Sequence, residues 1–429
     1  MGGRSMDLVK TRTIGWILFA VTVTAATPSC GPLIPAGTDS VPKATTATAP
    51  VSRIPADVLA NSGLEEVAFS PPSKSSDGAI QKVYLIKEGL LLVTRPAKEG
   101  GEQNLKMINR ENAHSVWLES IDGPITEAPF AYSYPAGSDK LPELLFWVDR
   151  TVHCLDLRYG ARLWKSEVDP PIASRVIAND THFYFGSADN GFYAYRKNTS
   201  VDDWSYRTAG RIDAGPAFNG ERIAFASHDG TIYGVPPDRG WVNLESWKVP
   251  TGSRVVGGVT AYSRWFLVGS TDYKLYCLEA LDGSVHWSFS AEAAIREAPV
   301  VYRHRANSEF AYCITSEGPM SRPDKTLFAV PLPKGSSALG GVAKWRRRGV
   351  RRVVSIGKDT LYVLSGTGGG RSLTGLDVLT GEPKFQIPLT GFNFAPTNHA
   401  DAGRNAKERG RIYLVSRNGA IQIIREKRT

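Results

Sequence analysis

Hydrophobic and polar positions alternate in short bursts along most of this chain. Stretches such as His182–Ser187, Gly191–Lys197, Trp265–Ser270 and Lys274–Leu278 are rich in Val, Leu, Phe and Tyr and are bounded by Gly, Asp, Asn or Ser. This is the pattern of antiparallel strands joined by hairpins, and the 3.6-residue period of helices is nearly absent. The turns agree. Ser187-Ala188-Asp189-Asn190-Gly191, Ser227-His228-Asp229-Gly230 and Ser416-Arg417-Asn418-Gly419 place Asn-Gly or Asp-Gly where a tight hairpin needs positive φ.

The strands repeat as sets. Trp117, Trp164, Trp204, Trp247, Trp287, Trp345 and then Phe385 recur at steps of 47, 40, 43, 40, 58 and 40 residues. A four-stranded propeller blade occupies about 40–45 residues, so the spacing predicts one blade per aromatic. One unit reads Arg175–Asn179, His182–Ser187, Gly191–Lys197 and Asp203–Thr208; another reads Val255–Tyr262, Trp265–Ser270, Lys274–Leu278 and Val285–Ser290. Seven units end in an aromatic, the first running from Lys82 to Trp117. An eighth set, Phe392–Asn398, Arg411–Arg417 and Ala420–Glu426, has only three strands. Leu64–Ser70 is a strand-like segment without a blade, and it would complete the eighth and remove an open sheet edge. The predicted fold is all-β: an eight-bladed β-propeller of four-stranded antiparallel blades, its last blade closed by an N-terminal strand. A seven-bladed ring is the alternative and leaves one set unpaired.

The third strands run into a shared phrase. It reads Leu155-Asp156…Gly160-Ala161-Arg162-Leu163-Trp164, then Leu278-Glu279-Ala280-Leu281-Asp282-Gly283…Trp287, then Leu376-Asp377…Thr380-Gly381…Phe385. Over residues 80 to 429 this resembles the PQQ-like β-propeller repeat family, in which the Trp docks between neighbouring blades. The resemblance implies a structural, blade-docking role for Trp117, Trp164, Trp204, Trp247, Trp287, Trp345 and Phe385. The family includes quinoprotein dehydrogenases with an adjacent Cys-Cys pair over the quinone and acidic and amide calcium ligands. This chain has no adjacent cysteines and is shorter, so no cofactor and no enzymatic activity are expected. In plan it is closest to the non-catalytic, BamB-like lipoproteins of outer-membrane barrel assembly. That likeness implies a protein-interaction scaffold of the bacterial cell envelope, a monomeric propeller with envelope or outer-membrane proteins as partners. The other reading is a small-molecule or PQQ-binding sensor, or a quinoprotein-type oxidoreductase, using the channel mouth.

The N-terminal residues carry an expectation about the compartment. Arg4, Lys10 and Arg12 precede an apolar run, Thr13 to Ala26, too short for a comfortable membrane span and ending in the small residues Thr24, Ala25 and Ala26. Residues 1–29 read as a signal peptide, with Met1 and Met6 as alternative starts. Cys30 is the lipidation candidate; the preceding Thr27-Pro28-Ser29 departs from the lipoprotein pattern, and plain cleavage near Ala26 is the alternative. Residues 30–62 are rich in Pro, Ala and Thr and read as a flexible tether, leaving 63–429 for the propeller. The expected location is the periplasm or outer membrane. Export makes nucleic acid an improbable partner despite a net charge of +9. Cys154, Cys277 and Cys313 fall in predicted strands and read as small core residues, a Cys277–Cys313 disulfide being the alternative.

No metalloprotease, nucleophile-elbow or Walker motif is present. The glycine run 366–370 reads as a turn, because no helix follows to hold a phosphate. The histidines are scattered and read as packed or solvated side chains. Binding is expected instead at a channel mouth formed where the first strands begin, from Glu127, Ser174, Asp213, Arg254, Arg296, Glu297, Arg351 and Asn393. Trp345-Arg346-Arg347-Arg348, with Arg351 and Arg352, forms a basic patch on an outer strand. It would either attract an anionic lipid surface or protect a solvated edge. The unequal loops 316–325 and 400–410 are further places for specificity.

Overall fold

A computed structural model describes residues 53–72, 78–95, 102–242, 244–305, 308–317, 324–332, 341–366, 370–398 and 409–427. All belong to one compact unit, Ala49–Thr429. The signal, Cys30 and most of the proposed tether lie outside the described residues, as do most of the loops 316–325 and 400–410 and the middle of the glycine run.

The chain is an eight-bladed β-propeller. Seven antiparallel sheets follow one another along the sequence, at 80–121, 130–167, 177–207, 217–250, 260–290, 294–348 and 350–388. The eighth joins Ile412–Val415 and Ile421–Glu426 to Leu64–Ser70, which pairs antiparallel with the C-terminal strand from Leu64↔Glu426 to Ser70↔Ile421. Its innermost position is held by a single bridge, Phe394↔Val415. A strand from the start of the chain therefore supplies the edge that the last blade lacks. In blade 6 the inner edge is split into Ala294–Ile295 and Val300–Arg305, both paired with the long strand Ser308–Glu317. The one helix among the described residues, Ala56–Asn61, precedes the closing strand.

Residues 53–62 were expected to be tether, yet their apolar side chains pack. Ile54 and Leu59 are buried in a cluster with Leu64, Phe392, Ile412 and Ile424. The fully buried Gln422 amide bonds both backbone groups of Ile54, at 3.0 and 3.1 Å, and reaches Glu66 at 2.8 Å. The closure is also tied sideways to blade 1. Arg411, 3% exposed, makes two bonds to Glu111 at 2.6 and 3.0 Å, and the Ile80 amide donates to the Arg417 carbonyl at 2.8 Å.

The core consists of apolar layers between adjacent blades, as when Phe192 of blade 3 stacks on Phe225 of blade 4 at 4.1 Å. Each end-of-blade aromatic faces a residue on the third strand of its own sheet: Met107, Cys154, Ala194, Gly234, Cys277, Ala329 and Gly375, all but the first small. Two of the cysteines thus serve as the small residue beneath an indole. All three described thiols are free and buried, and burial pushes each pKa well up.

At four junctions the indole is docked in one way. Trp117, Trp204, Trp247 and Trp345 donate Nε1–H to the carbonyls of Leu157, Pro237, Ala280 and Val378 in the next blade, at 2.8–3.2 Å. The same rings lie flat on Gly160, Gly240, Gly283 and Gly381, whose φ values are 62–74°. A Cβ at any of these glycines would come within 2.5–2.8 Å of the indole, so both the close approach and the positive φ require glycine. Phe385 has no N–H to donate and packs on the cluster around Ile54 and Leu64. Trp287 Nε1 is buried and has no hydrogen-bond partner among the described residues. Trp164 is different: its Nε1 faces the Glu143 carboxylate at 3.5 Å, and no glycine lies beneath it.

Candidate functional site

Backbone bonds fix the register of the segments entering the inner strands. The amides of Ala188, His228 and Thr271 donate to the carbonyls of Pro171, Arg211 and Arg254, so these three are equivalent. The amides of Ile212, Val255 and Ile295 donate to Ser187, Ser227 and Ser270 of the preceding blade. The expected ring of eight is therefore not one ring. Arg254 stands first, Asp213 and Arg296 two places on, and Ser174 and Glu297 three places on.

Ser174 leaves the mouth altogether. It is fully buried, its hydroxyl donating to the Arg175 carbonyl at 2.9 Å and accepting the Gly186 amide at 2.8 Å. Asn393 accepts the Arg417 amide at 2.9 Å through its side chain and the Arg371 guanidinium through its carbonyl, and so organises blade 8. Arg351 donates Nε–H to the Gly366 carbonyl at 2.8 Å. Glu297 pairs with Lys325 of its own blade. Arg254 is exposed and Arg296 partly so.

Two of the eight, Glu127 and Asp213, come together with charges that the sequence reading did not include. Water reaches Glu127, yet the surrounding blades enclose it; burial and then the charge of Asp213 raise its pKa, against the opposing pull of Lys82 and Arg175. Asp213 accepts from His228 at 2.7 Å and lies 3.2 Å from Arg211. Arg175 occupies the place held by Gly215, Gly258 and Ala298 in blades 4 to 6, and its side chain lies across Gly215 and donates to the Pro216 carbonyl at 2.9 Å. Burial pushes the pKa of its guanidinium down, and Glu127 partly offsets this. Its Nε has no hydrogen-bond partner among the described residues. The arrangement offers two carboxylates, Glu127 beside the buried Arg175 guanidinium and Asp213 beside His228 and Arg211, suited to the charged and amide groups of a polypeptide.

In the outer basic strand, Arg346 pairs with Glu292 and Arg347 lies 3.6 Å from Glu382 of the next blade. Arg348 and Arg352 are exposed, but the expected patch is not on one outer strand: Arg351 and Arg352 lie on Val350–Ile356, the inner strand of blade 7, because the chain crosses to the next blade at Gly349.

On the opposite face, where first strands turn into second and third into fourth, a cavity of about 780 Å³ opens between blades 2 and 3, lined by Tyr134, Leu141, Leu163, Trp164, His182 and Asn198 among others. Its floor is a buried ion pair. Lys197 and Glu143, with side chains 8% and 7% exposed, meet at 2.5 Å, and Tyr134 donates to Glu143 at 2.9 Å. The Lys197 ammonium also sits over the rings of Tyr132 and Tyr134, at 4.4 and 4.9 Å. Burial lowers its pKa, and Glu143 opposes that shift.

Among the described residues no helix is long and apolar enough to cross a membrane. No curated protein sequence matches this chain significantly. Among solved structures, BamB from Moraxella catarrhalis superposes with a TM-score of 0.57 at 15% identity, covering 85% of this chain and 98% of that one. The computationally designed Ika8 protein superposes with a TM-score of 0.52 at 11% identity, covering 84% of this chain and 99% of that one. At these identities the likeness is one of fold. The family model described as outer membrane protein assembly factor BamB matches residues 148–243 and 243–429. With two thirds of its length so matched, and the repeat and the eight-bladed ring agreeing, this chain belongs to the BamB family of PQQ-like β-propellers.

Proposed function

We propose that this protein is a non-catalytic interaction scaffold of the bacterial cell envelope that assists outer-membrane protein assembly. The family match over residues 148–429 carries the proposal. The channel mouth supports it, with Glu127 and Asp213 presenting charge to a partner chain. The export signal, and lipidation at Cys30 with the segment after it as a tether, would place the propeller at the inner face of the outer membrane. Arg348, exposed at the end of the outer basic strand, is the part of it available to an anionic lipid surface.

Affinity capture of the mature chain from its native envelope tests this, with mass spectrometry of co-purifying proteins and small molecules. Barrel-assembly proteins should be recovered from the wild type and lost from a Glu127→Ala/Asp213→Ala variant. Stoichiometric recovery of a quinone or calcium instead would overturn the scaffold reading.

A further inference from the structure

Four junctions of this ring define what its end-of-blade tryptophan takes: a carbonyl for Nε1–H and, three residues later, a glycine beneath the ring. The pairs are Leu157 and Gly160, Pro237 and Gly240, Ala280 and Gly283, Val378 and Gly381. Beside Trp164 the corresponding stretch is Lys197-Asn198-Thr199-Ser200. Its register is certain from the backbone: the Lys197 amide donates to the Thr181 carbonyl as the Leu157 amide does to Pro142 and the Ala280 amide to Arg264. The Arg196 amide likewise donates to Val201 as Asp156 does to Ala161.

Trp287 also lacks the bond, its Nε1 being buried without a hydrogen-bond partner among the described residues, but at the Trp164 junction several departures coincide. Serine replaces the glycine, and the positive φ moves to Asn198, at 58°. The Trp164 N–H is left facing a carboxylate at 3.5 Å, longer than any of the four docked bonds. Where the four docked indoles are covered by a turn, Trp164 lines the cavity. Its size falls within the range of ligand sites.

We infer that this cavity is a docking site for a glycine-containing turn of a partner polypeptide. The turn lays its glycine on the Trp164 indole and offers a backbone carbonyl to Nε1, reproducing in trans the joint that the ring makes four times in cis. Charge adds direction. Two of the four intramolecular turns carry an acidic residue beside the glycine, Asp282 before Gly283 and Glu382 after Gly381. At the cavity Lys140, held over the Tyr134 ring at 4.9 Å, is placed to meet such a residue. A small planar ligand would use the indole face but would have no call on the combination of flat glycine, carbonyl and neighbouring acid. The site lies on the face opposite the channel mouth and stands or falls independently of it.

The test is calorimetric titration of the full chain with a blocked peptide copying Asp377–Pro383, and with the same peptide carrying Gly381→Val. The expected result is saturable binding tighter than about 1 mM, weakened at least about tenfold by the valine. Trp164→Ala should abolish it, and Trp164→Phe, which keeps the stack but not the donor, should weaken it several-fold. An Asn198→Leu/Ser200→Gly variant, which restores an intramolecular glycine turn, should compete with the peptide and weaken binding. No saturable binding, equal binding of the valine peptide, or binding unchanged in both Trp164 variants would overturn the inference. Capture through the channel mouth can succeed or fail without altering any of these outcomes.

Discussion

The junction between blades 4 and 5 and that between blades 2 and 3 use the same tryptophan position and reach different ends. At the first, Trp247 is 8% exposed, donates to Ala280 at 3.0 Å and covers Gly283. At the second, Trp164 is only half-buried and the two blades are tied instead by Glu143 and Lys197, which sits where Ala280 sits in blade 5. A neutral joint made of shape and one hydrogen bond has been exchanged for a charged joint beside a void. The packed joint is content as it stands, whereas the charged one keeps an aromatic surface and a donor available. Repetition makes this visible, since each intact junction serves as the control for the altered one.

The comparison can be broken most forcefully at the ion pair. Lys197→Met leaves Glu143 buried without its partner and should destabilise the protein by about 3–5 kcal/mol in chemical denaturation. A Lys197→Met/Glu143→Leu double variant should recover most of that loss; no recovery would mean that the pair does more than neutralise itself. Next in size, Gly283→Val forces a Cβ toward the Trp247 ring in a backbone of positive φ, and should cost about 2–4 kcal/mol. Ser200→Ala, at the matching place in the open junction, should stay within about 0.5 kcal/mol. Equal effects would dissolve the distinction between the two joints. Trp345→Phe strands the Val378 carbonyl and should cost about 1–2 kcal/mol, more than Trp164→Phe, whose donor makes only the long contact.

The smallest expected effect is on pH dependence. The Ser284 amide and hydroxyl hold the carboxyl of Asp282, in the docked turn, below its usual range. A carboxylate so depressed contributes stability that is present above its unfolded pKa and lost as pH falls through the folded one. Glu111, depressed chiefly by its bonds to Arg411, behaves likewise at the ring closure. Asp282→Asn and Glu111→Gln should each flatten the acid side of a melting-temperature profile slightly. A profile identical to wild type would remove these groups from the account.

Much of the fold was legible because its signals are local and repeated. Alternation, Asn-Gly and Asp-Gly turns and a tryptophan every forty-odd residues need no tertiary information, and an orphan three-strand set beside an orphan strand forces the closure. The mouth was harder. Inner strands such as Ile177–Ala178 and Ala217–Phe218 have only two residues, too few to fix register by pattern, and a slip of one place exchanged Ser174, tied to its own backbone, for Arg175, whose charge reaches Glu127. An arginine where three other blades carry glycine or alanine was the available signal. The pairing of Glu143 with Lys197, or of Asp213 with His228, depends on which turns the ring brings together. The missing glycine in Lys197-Asn198-Thr199-Ser200, by contrast, stood in plain view once the turns were aligned.

The bond between Gln422 and Glu66 joins residues 356 positions apart in the chain. During synthesis, or during threading through a translocation pore, Leu64–Ser70 emerges first and its pairing partner almost last. Until then the ring has two unsatisfied edges facing each other across a gap, so folding of the closing blade waits until Ile421–Glu426 has been made. A ribosome stalled before residue 421, or a protease removing Ile421–Glu426, would leave an open annulus with an exposed strand on each side of the gap, a form prone to self-association and accessible to quality control.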